Sequence, residues 1–188
     1  MKLTGKRLLL FLLYTPAEGS DRNVPIVGRT RLMKMVFLFQ EEVLDEFQRD
    51  GTFEAVELPE FYSWRYGPFS AKLLDDLEFL VNRGYILSSP GNEPSPEELE
   101  EYAFWLDDLD SVATGEYIQE SFSLTEDKGI PKAEVFWRDL SSNQQSILST
   151  FKTELIRASL DRILEYVYKK YAEKGYTDKS LIRERYLT

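Results

Sequence analysis

Tyr62-Ser63-Trp64-Arg65-Tyr66-Gly67-Pro68-Phe69-Ser70 is the stretch that decides the fold. Its first half alternates and is aromatic, the pattern of a short extended segment. Gly67-Pro68 reads as the break that ends it, a turn that leaves Ser70 as the N-cap of the next element. From Ser70 the period becomes helical. Leu73, Leu74, Leu77, Leu80 and Val81 form one apolar stripe, while Lys72, Asp75, Asp76, Glu78 and Arg83 fall elsewhere. Gly84 stands where a left-handed residue closes a helix at least cost. Tyr85-Ile86-Leu87 then reads as a strand.

Upstream, Lys6 to Tyr14 reads as a short buried helix ended by Pro16. Residues 28–47 read as one long helix with Thr30 as N-cap, because Leu32, Met35, Val36, Phe39, Val43 and Phe47 keep helical spacing. Glu41, Glu42, Asp45 and Glu46 read as its solvated face. Downstream, an acidic insert near residues 90–115 surrounds Tyr102-Ala103-Phe104-Trp105-Leu106. Tyr117-Ile118 and Phe122-Ser123-Leu124 read as a returning strand, with Thr125 as a cap for the element after it. Residues 142–172 read as two helices meeting near 157–160, and 178–186 as a last one.

Helix, helix, capped helix, strand, loop, strand is the order of a winged helix, an elaboration of the helix-turn-helix unit. The expected fold is therefore α+β and mainly helical. A winged helix-turn-helix with a small β-wing is expected over residues 1–130, and a helical extension over 131–188 that packs on it or forms a homodimer.

Composition excludes much chemistry. Among 188 residues there is no cysteine and no histidine. Thiol nucleophiles, disulfides, Cys/His zinc sites and histidine general bases are ruled out. Only carboxylate-bound metals remain; Asp107, Asp108 and Asp110 with Glu126 and Lys128 leave a carboxylate-metal nuclease as the alternative, although their spacing fits no nuclease pattern well. The expectation is no catalytic residue, no metal and no cofactor. The apolar run Leu8 to Tyr14 is shorter than the roughly 20 residues that span a bilayer. No membrane role and a cytoplasmic location are expected.

The net charge of −10 is unevenly spread. Residues 1–34 hold 7 basic and 2 acidic side chains, residues 35–130 hold 5 and 23, and residues 131–188 hold 11 and 8. Local positive potential is what phosphate binding requires.

The segments Arg31-Leu32-Met33-Lys34-Met35-Val36-Phe37-Leu38, Tyr62 to Ser70, and Leu80-Val81-Asn82-Arg83-Gly84-Tyr85-Ile86 resemble the YwgA-like family and the Panacea antitoxin domain of phage-associated and toxin–antitoxin proteins. Leu124-Thr125-Glu126-Asp127-Lys128-Gly129 and Leu164-Glu165-Tyr166-Val167-Tyr168-Lys169-Lys170-Tyr171 are further echoes. The resemblance covers roughly residues 29–87. It implies a winged-helix-like fold and a role in regulation, defence or toxin neutralisation, and it brings no catalytic residues.

Two functional readings are open. In the first, a non-catalytic transcriptional regulator holds duplex DNA through Arg29, Arg31, Lys34, Arg65, Ser70 and Lys72. In the second, an antitoxin-like or defence-linked adaptor offers an acidic surface to a basic protein partner. Asp75, Asp76 and Glu78 on the would-be recognition helix weigh against the first. Tyr66, Gly67, Pro68, Phe69, Ser70 and Gly84 are expected to be structural. Tyr62, Trp64, Tyr66 and Phe69 are expected in the core rather than stacked on bases.

Overall fold

Eight of the ten residues of the first helix, α1 (Gly5–Tyr14), are buried. A helix apolar on every side has to be enclosed, and α1 is enclosed by the rest of the chain. The computed structural model describes residues 1–17, 19–20, 22–51, 53, 55–90 and 120–187, with only the backbone of Ala55. The acidic insert, Tyr117-Ile118 and the Asp107–Asp110 cluster lie outside the described residues.

Strand β1 (Lys2–Thr4) leads into α1, and Thr4 caps it by accepting the Arg7 N–H. Next come β2 (Ile26–Val27) and α2 (Arg29–Leu38). Five π-helical residues, Phe39–Val43, join α2 to α3 (Leu44–Gln48). β3 (Ala55–Glu57), β4 (Tyr62–Trp64) and β5 (Gly67–Phe69) precede α4 (Ala71–Asn82). β6 (Ile86–Pro90) and β7 (Glu120–Leu124) come after it. The chain closes with α5 (Gly129–Arg138), α6 (Ser142–Arg157), α7 (Leu160–Tyr171), a 3-10 turn at Ala172–Lys174, and α8 (Arg183–Leu187).

The architecture is α+β and mainly helical, with small sheets. β2, β7 and β6 form an antiparallel sheet in that order. Ile26 faces Phe122, and Ile86 faces Leu124. β1 and β3 pair in parallel, and β4–β5 is a separate hairpin. One buried cluster joins Leu8 to Tyr14 of α1 and Met35 to Leu38 of α2 with Trp137, Leu148, Phe151, Ile163, Val167 and Tyr171 from the C-terminal helices.

Several local expectations are met. Ser70 caps α4 by accepting the Leu73 N–H. Gly84 has φ of +72°. Its N–H reaches the Val81 carbonyl at 2.9 Å, and the Tyr85 N–H reaches Leu80 at 2.9 Å, the paired bonds of a Schellman end. α6 and α7 meet at residues 158–159.

Other expectations are corrected. Gly67-Pro68 is not the turn. Arg65-Tyr66 makes it, and Gly67–Phe69 is the returning strand, so Trp64 faces Gly67 and Tyr62 faces Phe69. Gly67 is required twice over, by its φ of +82° and because a Cβ there would meet the buried Tyr168 ring at 3.2 Å. Thr30 is not the N-cap of α2. Gly28, with φ of +92°, turns directly out of the β2–β7 pairing, so the helix starts earlier.

The long helix of 28–47 is interrupted by its π-helical step. Asp45, Glu46 and Glu42 are exposed as expected, but Glu41 is half-buried and both Glu41 and Glu42 also accept from the C-terminal tyrosines. Tyr171 donates to Glu42 at 2.6 Å, Tyr176 to Glu41 at 3.2 Å, and Lys174 pairs with Glu41 at 2.7 Å. Burial, and after it the Glu42 carboxylate it donates to, pushes the Tyr171 hydroxyl well above its usual range.

α5 begins the helical extension expected over 131–188, which carries no separate bounds for it. Its cap residue is Lys128, without a side-chain bond. Thr125 acts across the junction, taking the Gly129 N–H at 3.0 Å and donating to Gly84 O at 2.7 Å. The expected last helix of 178–186 is reduced to α8. Residues 179–181 bond the hairpin instead, through Lys179 N to Ser63 Oγ at 2.8 Å and Leu181 N to Arg65 O at 2.9 Å. Among the described residues no helix is long and apolar enough to cross a membrane.

Candidate functional site: the hairpin cleft

The hairpin β4–β5 presents its aromatics in pairs set by its register. Tyr62 and Phe69 have ring centroids 5.6 Å apart, and Trp64 and Phe69 are 6.2 Å apart. Cross-strand aromatic pairs of this kind stabilise a two-stranded ribbon that is otherwise marginal. They are not fully in the core as expected. Tyr66 is buried, Trp64 and Phe69 are half-buried, and Tyr62 is exposed.

A cleft opens where this hairpin meets the start of α2 and the first turns of α4. Arg29, Met33, Trp64, Phe69 and Leu74 line it, with Lys34 and the Tyr66-Gly67 backbone behind. Its cavity volume is about 70 Å³. That is well below the several hundred cubic ångströms of a cofactor site and suits one aliphatic or aromatic side chain.

The structure thus gathers Arg29, Lys34, Tyr66, Gly67 and Phe69 at one place. It sends the other sequence candidates elsewhere. Arg31 turns to the end of α6, donating to Leu155 O at 2.5 Å and Ala158 O at 2.7 Å. Ser70 is buried in its capping role. Lys72 pairs with Asp76, which also holds Lys6 at 2.6 Å. The Arg65 guanidinium lies 5.5 Å from the Trp64 ring centroid.

Lys34 is the clearest departure from a phosphate-facing edge. It is 3% exposed, and its ammonium donates to Tyr66 O at 2.6 Å and Pro68 O at 2.9 Å. It pins the hairpin to α2 from inside. Met33 and Leu74 line the cleft, although sequence reasoning does not single them out as site residues. The available signal is the Leu73-Leu74 doublet. Neighbours on a helix point about 100° apart, so when Leu73 faces the core, Leu74 faces its edge.

Arg29 stands at the mouth. It clasps Glu120 through Nε to Oε2 and through Nη2 to Oε1 at 3.2 Å, a forked charge-assisted contact. Ser88 donates to the same carboxylate at 2.9 Å. Hydrogen bonding from Arg29 holds the Glu120 carboxyl below its usual range. A carboxyl depressed by folding adds stability above its unfolded value and loses it as pH falls through its folded one. Thermal melts as pH drops below about 4.5 should therefore fall more steeply for the wild type than for Glu120→Gln. Parallel melting curves would contradict this.

Among the described residues, no group of three or more carboxylates could hold a metal ion. No known protein family, curated protein or solved structure matches the chain.

Proposed function

We propose that the chain is a non-catalytic adaptor of winged-helix arrangement that takes one apolar side chain of a basic protein segment into the hairpin cleft. The observation that carries this is the lining. Met33, Trp64, Phe69 and Leu74 offer a small apolar seat beside the exposed Asp75 and Glu78 on the outer face of α4. An aromatic-walled pocket filled by one anchor is how interfaces concentrate binding energy, and the flanking carboxylates favour cationic neighbours of that anchor.

The winged-helix part of the reading is supported by connectivity. α1, β2, α2, α4, β6 and β7 occur in the order helix, strand, helix, helix, strand, strand, with α3 and β3–β5 inserted between α2 and α4, and β2 bonds the free edge of β7. The resemblance of residues 29–87 to the Panacea antitoxin domain agrees with a protein-binding role. The duplex-DNA alternative draws on the same connectivity. It has less support from the side chains, because Arg29, Arg31, Lys34 and Lys72 are engaged within the chain and the outer face of α4 is acidic.

A fluorescein-labelled peptide with one tryptophan flanked by lysines tests the reading. It should bind in an anisotropy titration, whereas the same peptide flanked by glutamates should not. Leu74→Glu should weaken the lysine peptide at least about tenfold, or ~1.4 kcal/mol. No binding, equal binding of both peptides, or an unaffected variant contradicts the reading.

A further inference from the structure

A second groove lies between α1, α4 and α5, with a volume of about 200 Å³. Its floor is apolar, built on Leu10, Leu80 and Phe79, of which Phe79 is 43% exposed. Around that floor, cations rest on rings. Lys6 Nζ lies 4.9 Å from the centroid of Phe79, and the Arg83 guanidinium 5.6 Å from it. Arg7 lies 4.6 Å and Lys132 4.8 Å from the centroid of Phe136.

Lys6 is neutralised by Asp76 at 2.6 Å. Arg7, Arg83 and Lys132 have no carboxylate within ion-pair distance among the described residues. In a chain of net charge −10, three such cations around two aromatic rings form a concentrated positive site. A cation–π contact fixes the position of a guanidinium while leaving its N–H edges free to donate outward.

We propose that this groove binds single-stranded nucleic acid, seating one base on the apolar floor with the flanking phosphates met by Arg7 and Lys132 at the Phe136 ring and by Arg83 at the Phe79 ring. The groove offers an apolar floor with Arg7 and Lys132 on the Phe136 ring and Arg83 on the Phe79 ring beside it. A nucleotide strand is the polyanion that carries negative charge on both sides of a flat, weakly polar body. The volume fits one base. A duplex keeps its bases stacked inside and reaches only the cationic rim. An acidic peptide would satisfy the cations without needing an apolar floor. The groove shares no residue with the hairpin cleft, so the two sites are tested separately.

The test is an anisotropy titration of the full chain with a fluorescein-labelled oligothymidylate of about ten nucleotides, a duplex of equal length, and a labelled polyglutamate of equal charge. The single strand should bind most tightly and weaken as salt rises. Arg83→Glu with Lys132→Glu should reduce its affinity at least about tenfold, and Phe79→Ala about threefold. Lys169→Glu on α7 should leave it unchanged. Arg83 and Lys132 are exposed, and Phe79→Ala changes no charge, so the variants are independent checks on folding, read by thermal melting. Equal or tighter binding of the duplex, tighter binding of polyglutamate, or full affinity in the groove variants would overturn the proposal.

Discussion

Gly129→Ala should destabilise the protein by about 3 kcal/mol or more, seen as a large drop in the urea midpoint or as failure to accumulate folded. The reason is backbone crowding. A Cβ at Gly129 would lie 2.1 Å from the Tyr85 carbonyl oxygen and 3.2 Å from Leu124 Cα. Neither atom belongs to a flexible side chain, so relief requires moving β6, β7 or α5. The Tyr85 carbonyl is already fixed by the Thr125 N–H at 3.1 Å, and Thr125 also bridges Gly84 and Gly129 through its hydroxyl. Gly5→Ala is the instructive contrast. There the nearest atoms are Asp76 Oδ2 at 2.5 Å and the Pro59 ring, and side chains give way more readily than backbone. A Gly129→Ala protein with an unchanged midpoint would mean that the α4–β6–β7–α5 junction is looser than described.

Lys152→Met is expected to have the next largest effect, about 3 kcal/mol. Lys152 is fully buried, and its ammonium reaches Leu13 O at 2.9 Å, Thr15 O at 2.8 Å and Val24 O at 3.0 Å. α1 has no basic residue in its last turn. The end carbonyls that a helix leaves unpaired are here satisfied by a cation from α6. Burial pushes the Lys152 amine down to about 7. Methionine keeps the aliphatic stem and removes the donor, so it isolates the cost of three buried acceptors losing their partner. A midpoint within about 0.5 kcal/mol of wild type would show that water replaces the ammonium there.

Lys152, Lys34 and Arg31 share a lesson about what the sequence discloses. Each is a cation bonded to backbone carbonyls far away along the chain, at the end of α1, on the hairpin strand β5 and at the end of α6. Local spacing reads such residues as surface charge, because the carbonyls that hold them leave no mark in the sequence. This is why Arg31 and Lys34 resemble a phosphate-binding edge. The bonds that Glu41 and Glu42 make to Tyr176 and Tyr171 are hidden for a related reason. The apolar period of α2 runs on through Phe39 and Val43, and nothing in it announces the extra residue of the π-helical step.

Features set by neighbouring residues are legible. The Ser70 cap, the Gly84 ending, the apolar stripe of α4 and the break between α6 and α7 all depend on contacts within a few positions. Gly67 is conspicuous in the sequence, but its role is not. The glycine serves a strand position with positive φ under the Tyr168 ring, and the turn falls two residues earlier. The cleft itself is half visible. Its aromatic wall lies in the Tyr62 to Phe69 stretch, whereas Met33 and Leu74 join it only through the packing of α2 against α4 and the hairpin.

Selection from an unbiased peptide library tests the central claim most directly. Short random peptides displayed on phage would be panned on the immobilised chain and counter-selected on Leu74→Glu. A hydrophobic anchor (tryptophan, phenylalanine, leucine or methionine) bordered by lysine or arginine should be enriched, and the enriched peptides should lose affinity for Trp64→Ala. Enrichment of acidic peptides, of sequences without an apolar anchor, or of peptides that bind Trp64→Ala as well as wild type would contradict the adaptor reading of the cleft.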